Sequence, residues 1–399
     1  MNVKGYEFER LVLQDLDGRT CGVCIAKKTW VIKDDRHLKE ADDPEPIRFA
    51  AVMEDGKDAG EAPPLYEADT AVFKPKADFV VLGTAVAPQK VATQRFSCTV
   101  KLGGFQRSLV ITGKRYAKFK KPKKDTKDEF IGSPPEFSEP ERVVRVKLSF
   151  RNAYGGVAKY KPRGGDEVIE IPCPCNPFGK GYCVQNSPEA IDGLELPQIE
   201  DPERLLTPEN LVQEIGVFET LPLPAGFGFY GGSWYPRIAY AGVMPFEVER
   251  MKVQVRQYAA SLDAEKDKDV VTMLETFDPP VMRYEYYQAC APGMSVEYPK
   301  GNETVVLENI GEQGYLAFDL PGLRPLLEVD AGRGKEVVPL ELDTLCVNAD
   351  DMKVYMVFRG RVFLMSDDDV EAFLKDVPKV EDLSYPEYMR MVLESPRRS

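Results

Sequence analysis

Three cysteines in CPCNPFGKGYC, residues 173–183, stand where a metal site or a disulfide would use them. Cys173 and Cys175 flank a proline, and Cys183 follows two glycines. A structural zinc takes four Cys or His ligands. This stretch supplies three, so the fourth would come from Cys290, Cys346 or elsewhere. Pro172 and Pro174 stiffen Cys173 into an extended form. Asn176-Pro177 starts a turn, and Gly179 and Gly181 permit backbone angles closed to other residues. Without the cysteines a complete loop motif, Asn-Pro-x-Gly-x-Gly, remains, and the ligand count favours that loop over a metal. Cys21 and Cys24 form a CxxC, but three residues apart on a strand they point to opposite faces. There is no second CxxC to complete a zinc ribbon.

Histidine is the sharpest constraint on catalysis. His37, in the polar stretch KDDRHLKE, is the only one. A Ser-His-Asp triad, a His-based metal site or a Cys-His pair would each have to use it. Carboxylates are plentiful: Glu195, Glu200, Asp201, Glu303 and Asp343. A glycosidase needs two of them about 5 to 9.5 Å apart across a sugar cleft. Trp234 and Tyr235 could line such a cleft, although aromatic side chains more often fill a β-rich core. GFGFYG, residues 226–231, matches GxGxxG, but LPLPA before it and GSWYPR after it oppose the helix that a dinucleotide site requires.

One stretch is strongly basic. GKRYAKFKKPKKDTK carries Lys114, Arg115, Lys118, Lys120, Lys121, Lys123, Lys124 and Lys127, with Tyr116 and Phe119 between them. Basic grooves with stacking aromatics bind single-stranded nucleic acid. The whole chain has 52 Lys and Arg against 65 Asp and Glu, a net charge of −13. That balance repels nucleic acid and anionic membranes over most of the surface and favours a solvated loop; docking onto an acidic protein partner is the third reading.

These residues need elements to hold them. The 399 residues suffice for a sizeable core, and 43% hydrophobic with 29% charged residues is ordinary for a globular protein. No apolar run reaches the roughly 18 residues of a membrane span. The start, MNVKGYEFERLVLQDLDG, lacks a signal-peptide core, so a cytoplasmic location with reduced thiols is expected. Strand patterns recur in TCGVCIAKKTWVI, with Cys21, Val23 and Ile25 on one face, and in DFVVLGTAVAP. RFSCTVKLGG and RSLVITGKR predict a hairpin turning at Gly103–Gly104. RVVRVKLSF, TVVLENI, TLCVNAD and KVYMVFRGRVFLM are further strands, the last two joined at Ala349-Asp350-Asp351. Helical signals lie in 246–277, in SDDDVEAFLKDV behind Ser366, and in SYPEYMRMVLES. The expected fold is mainly β: sandwich-like sheets, long irregular loops, a few peripheral helices and a helical C-terminus. Residues 1–365 form the β-rich domain, with 121–141 as a linker candidate, and 366–399 the helical segment.

The motifs, taken in order, resemble those of a domain-of-unknown-function family of type VI secretion accessory proteins. DFVVLGTAVAP, ITGKRY, LSFRNAYGG, CNPFGKGY, LELPQIEDP, PAGFGFYGGSWYPRIAYAG, ACAPGM, GNETVVLENI, FDLPG and LDTLCVNADDMKVYMVFRG carry the resemblance over roughly residues 8–360. The family's Asn in the Leu-Pro-Asn segment is Gln198 here, its Gly-Thr-Tyr-Asp is Gly242-Val243-Met244-Pro245, and the Trp of its closing Trp-Arg pair is Phe358. Residues 246–277 fit it poorly. The resemblance implies an adaptor without cofactor, metal or catalytic residues. It would bind an effector, or the PAAR-like tip piece that carries one, and help load it onto the VgrG spike. It also implies a structural role for Tyr154, Gly155, Gly156, Asn176, Pro177, Gly179, Gly181, Leu196, Pro197, Glu200, Trp234, Pro236, Arg237 and Asp343, with Glu200 and Arg237 as buried polar ties. The lysine-rich stretch from Lys114 to Lys127 and the divergent 246–277 are the candidate docking surfaces. The reading from another class is a carbohydrate-active enzyme or carbohydrate-binding β-sandwich.

Overall fold

Alternating apolar residues flanked by short turns build most of this chain. The computed structural model describes residues 2–3, 5–33, 37–121, 123–124, 130–131, 134–162, 164–165, 167–263, 265–376 and 379–394. In chain order the main strands are β1 (Tyr6–Gln14), β2 (Thr20–Ile32), β3 (Ala77–Leu82), β4 (Arg95–Leu102), β5 (Phe105–Thr112), β6 (Ile199–Glu200), β7 (Ser295–Val296), β8 (Thr304–Glu308), β9 (Tyr315–Asp319), β10 (Leu323–Asp330), β11 (Lys335–Pro339), β12 (Glu341–Asn348), β13 (Lys353–Phe363) and β14 (Lys379–Ser384). Four longer helices are α1 (Val248–Ala260), α2 (Lys268–Glu275), α3 (Asp367–Lys375) and α4 (Tyr385–Glu394).

The central sheet runs Asn2–Val3, β1, β2, β13, β12, β3, β7, with Leu38–Glu40 added beside β2. Its pairs are antiparallel except β12 on β3. A five-stranded antiparallel sheet has the order β6, β5, β4, β8, β9. One continuous apolar core spans both sheets, including Phe79, Val80, Cys98, Leu109, Leu307 and Val357. A third sheet, β11–β10–β14, draws its last strand from the C-terminal segment. That segment is also tied in by α3: Ser366 Oγ accepts from the Asp369 amide (3.1 Å), and Phe373 is fully buried. A Cβ on Gly22 would lie 2.8 Å from the Phe373 ring, so glycine there makes room for the helix.

The β-rich, helix-poor reading holds, and the hairpins β4–β5 and β12–β13 turn where expected. Two details differ. The strand read over 142–150 shortens to Arg145–Lys147, because Ser149 caps a tight helical turn at Phe150–Asn152. Burial in β2 covers both faces, Cys21 through Trp30, so Lys27 and Lys28 lie inside with the cysteines. The helical signals read in 246–277 are two helices, α1 and α2. Within the linker candidate 121–141, residues 122, 125–129 and 132–133 lie outside the described ones, and Glu136–Phe137 pairs with Ala117–Lys118. Among the described residues no helix is long and apolar enough to cross a membrane.

Buried charges hold the central sheet to the loops before and after it. Lys74 Nζ donates to Asp78 Oδ2 and to Thr344 Oγ1, each at 2.8 Å. Asp78 also accepts from the Ala289 amide (2.9 Å) and from Gln288 Nε2 (2.6 Å). Burial alone would raise the Asp78 carboxyl; Lys74 and the Ala289 amide outweigh it and hold the group below the usual carboxylate range. A carboxylate depressed in this way stabilises the fold above its unfolded pKa, and that contribution is lost as pH falls through the folded value. Lys74→Met leaves the carboxylate buried without its cation and costs about 3–5 kcal/mol near pH 7. In the variant burial raises the carboxyl instead, so the loss should shrink as pH drops from 7 to 5. Urea unfolding of both proteins at the two pH values measures this. An equal or larger loss at pH 5 contradicts the assignment.

Candidate functional site

Most of the motif residues gather around one loop, whereas Asp343 lies apart, on β12 beside Arg359. Asn176 is fully buried, and its side chain does the work of three backbone partners. Nδ2 donates to the carbonyls of Phe150 (2.8 Å) and Tyr154 (3.0 Å), and Oδ1 accepts from the Phe178 amide (3.2 Å). Tyr154–Gly155 and Lys180–Gly181 then pair in parallel, so YGG and Asn-Pro-x-Gly-x-Gly form one unit. The two approach too closely for side chains. A Cβ on Gly179 would lie 2.5 Å from the Ala153 carbonyl, and one on Gly156 2.4 Å from that of Gly179. Gly156 also has φ +94°, where other residues are strained. Pro177 follows the buried asparagine, as turn chemistry requires.

An aromatic cluster backs this loop. Trp234 is buried edge-on to Phe150 and Tyr230, with ring centroids 5.4 and 5.1 Å away, and Phe178 lies on its other side. The Tyr230 hydroxyl shares its one proton between the carbonyls of Cys175 (2.7 Å) and Tyr235 (2.5 Å). Pro236 follows Tyr235 through a cis peptide bond. GFGFYG is a loop laid along β3: Val81 N donates to Phe227 O at 2.8 Å, and Tyr230 N to Ala289 O at 2.7 Å. Its glycines admit the neighbouring aromatic rings, Phe150 at Gly226 and Trp234 at Gly231.

Each charged motif residue has an internal partner. Arg237 is bonded to Glu67 and donates to the carbonyls of Tyr230 (2.6 Å) and Tyr286 (2.8 Å). Glu200 is bonded to Arg115 and accepts from the Leu206 amide (2.8 Å). Burial pushes the Glu200 carboxyl above its usual range even with Arg115 beside it. Asp343 is bonded to Arg359 and accepts from Thr344 Oγ1 at 3.0 Å. The other carboxylates singled out in the sequence are also engaged: Glu195 with Lys180 (2.7 Å), Asp201 with Arg107 (3.1 Å), and Glu303 with the amides of Lys300 (2.6 Å) and Gly301 (2.8 Å). Trp234, the expected cleft aromatic, lies in the core. His37 is exposed, before Leu38–Glu40.

The three cysteines belong to a second apolar core with Tyr154, Tyr182, Leu196, Leu206 and Leu221. The Cys173 and Cys175 thiols are hydrogen-bonded to each other, which pushes Cys175 up together with burial, and Cys183 Sγ donates to the Gln185 carbonyl (3.3 Å). Among the described residues no group of three His, Cys, Asp or Glu side chains could hold a metal ion. A cavity of about 430 Å³ opens beside this core, lined by Tyr154, Pro197, Glu200, Arg204, Leu206 and Leu223. Its one deeply buried carboxylate, Glu200, is the one held by Arg115.

The lysine-rich stretch divides. Lys114, Lys118, Lys120 and Lys121 are exposed, and Lys120 pairs with Glu136. Arg115 is 6% exposed and bound to Glu200, so it leaves the docking set: period-two alternation turns it inward with Ala117. Lys123–Lys124 pairs with Phe130–Ile131, and Lys127 lies outside the described residues. Sequence reading missed Lys27, Glu67, Asp69, Lys74 and Asp78. The signal for Lys27 was a charged pair inside an apolar strand, and for Lys74 and Asp78 an i, i+4 pair entering one.

Residues 17–359 match the model of a family described as an uncharacterized protein conserved in bacteria, DUF2169. No curated protein and no solved structure matches the chain.

The geometry assigns Asn176 a structural task. Asn176→Ala removes the donor from two buried carbonyls, each costing about 1–3 kcal/mol. The melting temperature should fall well below that of wild type, and Gly179→Val should yield little folded protein. Unchanged melting of Asn176→Ala with loss of a binding activity would move this loop to an interface.

Proposed function

We propose, for a chain that belongs to the bacterial DUF2169 family, the work of an adaptor in type VI secretion. It binds an effector, or the effector's PAAR-like tip domain, in the cytoplasm and assists its loading onto the VgrG spike. The binding needs no nucleotide, metal or other cofactor, and the chain is not an enzyme. The observation that carries this reading is the inward use of charge. Glu200, Arg237 and Asp343 are each bonded to a buried or half-buried counter-charge, and the motifs around them set the shape of loops. A site that acted on a small molecule would keep polar groups converging on the ligand instead. What faces solvent is of the kind a protein partner uses: exposed lysines around Lys118, and the exposed apolar side chains of α1 and α2. The ordered motif series from residue 78 to residue 360 supports the same reading.

The two surfaces respond differently to salt. Docking through Lys114, Lys118, Lys120 and Lys121 weakens between about 0.05 and 0.5 M salt, because exposed charges are screened over a Debye length. Docking through the apolar helices barely changes. The test is co-expression with the effector and spike proteins encoded beside the gene, followed by pull-down across that salt range. Retention of the effector without added nucleotide or metal is expected. If neither is retained at any salt, the adaptor reading fails.

A further inference from the structure

The excursion between Gly242 and Pro280 carries more apolar surface than its own folding uses. Its ends meet on the body: Val243 N donates to Pro280 O (2.8 Å), and Met282 N to Val243 O (2.9 Å). Between them α1 and α2 pack mainly on each other. Lys252 Nζ, in the first turns of α1, ties it to Asp278 just past the end of α2 at 2.6 Å. Met251, Val255 and Ala259 recur every four residues on α1, and Val271 and Leu274 lie on α2; these are the more buried apolar positions of the pair. That stripe is enough to make the hairpin.

A second stripe faces water. Val270, Met273 and Phe277 follow i, i+3, i+7 along α2 and just past its end, and they are 45%, 62% and 39% exposed. On α1, Val253 is 48% and Tyr258 59% exposed. No residue of α2 is buried. A helix with apolar residues on both sides fits between two neighbours, and this one packs mainly on α1. Two helices with unused apolar surface are the ordinary platform for a third.

The rim identifies the third helix. Residues 261–278 contain Asp263, Glu265, Asp267, Asp269, Glu275 and Asp278 against Lys266 and Lys268, a local charge of −4 in which Lys252 offsets Asp278. On α1, Arg250, Lys252 and Arg256 stand against Glu249, so the acidic rim is the α2 side. A second copy would bring two acidic rims together on chains of net charge −13. Anionic membranes and nucleic acid are repelled for the same reason. An apolar stripe with a cationic flank satisfies both features of this face.

We propose that the α1–α2 hairpin is a docking face for one amphipathic helix of a partner protein, apolar on the side that contacts Val270, Met273 and Phe277 and basic at the margin that meets the acids of residues 263–275. That the partner is a secreted effector rests on the adaptor reading; the chemistry of the face rests on the hairpin. The test uses the full chain and two labelled helical peptides of about 18 residues, some five turns long. One is built from Leu and Lys, the other from Leu and Glu on the same apolar pattern. Fluorescence anisotropy should show the Leu/Lys peptide binding at least about tenfold tighter than the Leu/Glu peptide. The paired substitutions Met273→Asp and Phe277→Asp, at exposed positions, should leave melting unchanged and weaken Leu/Lys binding by about tenfold. Attraction of lysines to an acidic chain without the stripe predicts the reverse, because each substitution adds negative charge. Asp267→Lys, Asp269→Lys and Glu275→Lys together should shift preference toward the Leu/Glu peptide. Leu/Lys binding that the stripe substitutions leave unchanged or strengthen overturns the proposal. If that peptide binds through the stripe while wild type retains no neighbouring effector, the adaptor reading fails and the docking face stands. If wild type and the stripe variant retain the effector equally, and the peptide binds neither, this face is wrong and the adaptor reading survives.

Discussion

Two buried cations on adjacent strands of the central sheet hold the long N-terminal loop in place. Lys27 on β2 is fully buried, and its Nζ donates to Asp69 Oδ2 (2.8 Å) and to the Pro46 carbonyl (2.9 Å). Arg359 on β13 is bonded to Asp343 and donates to the carbonyls of Asp69 (2.8 Å) and Ala71 (3.1 Å). The register sets Lys27 opposite Val357, two residues from Arg359, so both cations rise from one face of the sheet. The stretch from residue 41 to 76 has little regular structure, only Val52–Met53 paired with Pro64–Tyr66 and a short turn. A loop lying on a core must find partners for its buried carbonyls. Here side-chain cations supply the donors that a strand ladder would otherwise supply. Two buried aspartates balance the charge, and the aromatic face of Tyr355, 4.5 Å from Lys27 Nζ, adds to it. Burial lowers the Lys27 ammonium while Asp69 opposes that shift, so the cation depends on the same loop that it holds.

The same device recurs wherever the chain is irregular. Arg115 and Glu200 join the end of the β4–β5 hairpin to the 200–206 turn, and Arg237 joins the Trp234 loop to Glu67. Asn176 does for the 150–181 unit, with a neutral amide, what Lys27 does for the N-terminal loop. Long stretches without repeating structure are thereby fixed by a few polar side chains of fixed reach. Their residue types look like catalytic or ligand-binding groups in a sequence, and their positions give them to the scaffold.

Legibility followed locality. The hairpins β4–β5 and β12–β13 could be read because two alternating runs and a short turn contain everything that defines them. The cap at Ser366 could be read because its partner is three residues away. The parallel pairing of β3 with β12 could not, because nothing near Phe79 points to Leu345. Nor could the two-sided burial of β2, since an alternation count assumes one wet face. Arg115 shows a subtler failure. Counted with its lysine neighbours it belongs to a basic patch, whereas the alternation of residues 113–118 turns it inward. Pattern outranked composition there, because a side chain two residues from a buried Ala117 on an extended chain must point the same way. The ion-pair partners of the charged motif residues, Glu67 for Arg237 and Arg359 for Asp343, lie far along the chain and required the fold.

A division of labour follows from where the polar groups point. Residues that fix the frame point inward and sit in the ordered motifs. The segment whose sequence departs from those motifs, from Gly242 to Phe277, is closed at its base by backbone bonds between Val243, Pro280 and Met282 and touches the β1–β2 turn through Phe246 at Gly18. A hairpin attached in this way can change its surface without disturbing any buried ion pair, because it makes few contacts with the elements that hold them. A rigid frame in turn limits the ordering that a partner must cause on docking, and less ordering leaves more of the contact energy as affinity. Retaining Asn176, Glu200 and Arg237 while varying the helices is therefore the physically cheap way for such a chain to change that surface without changing its fold.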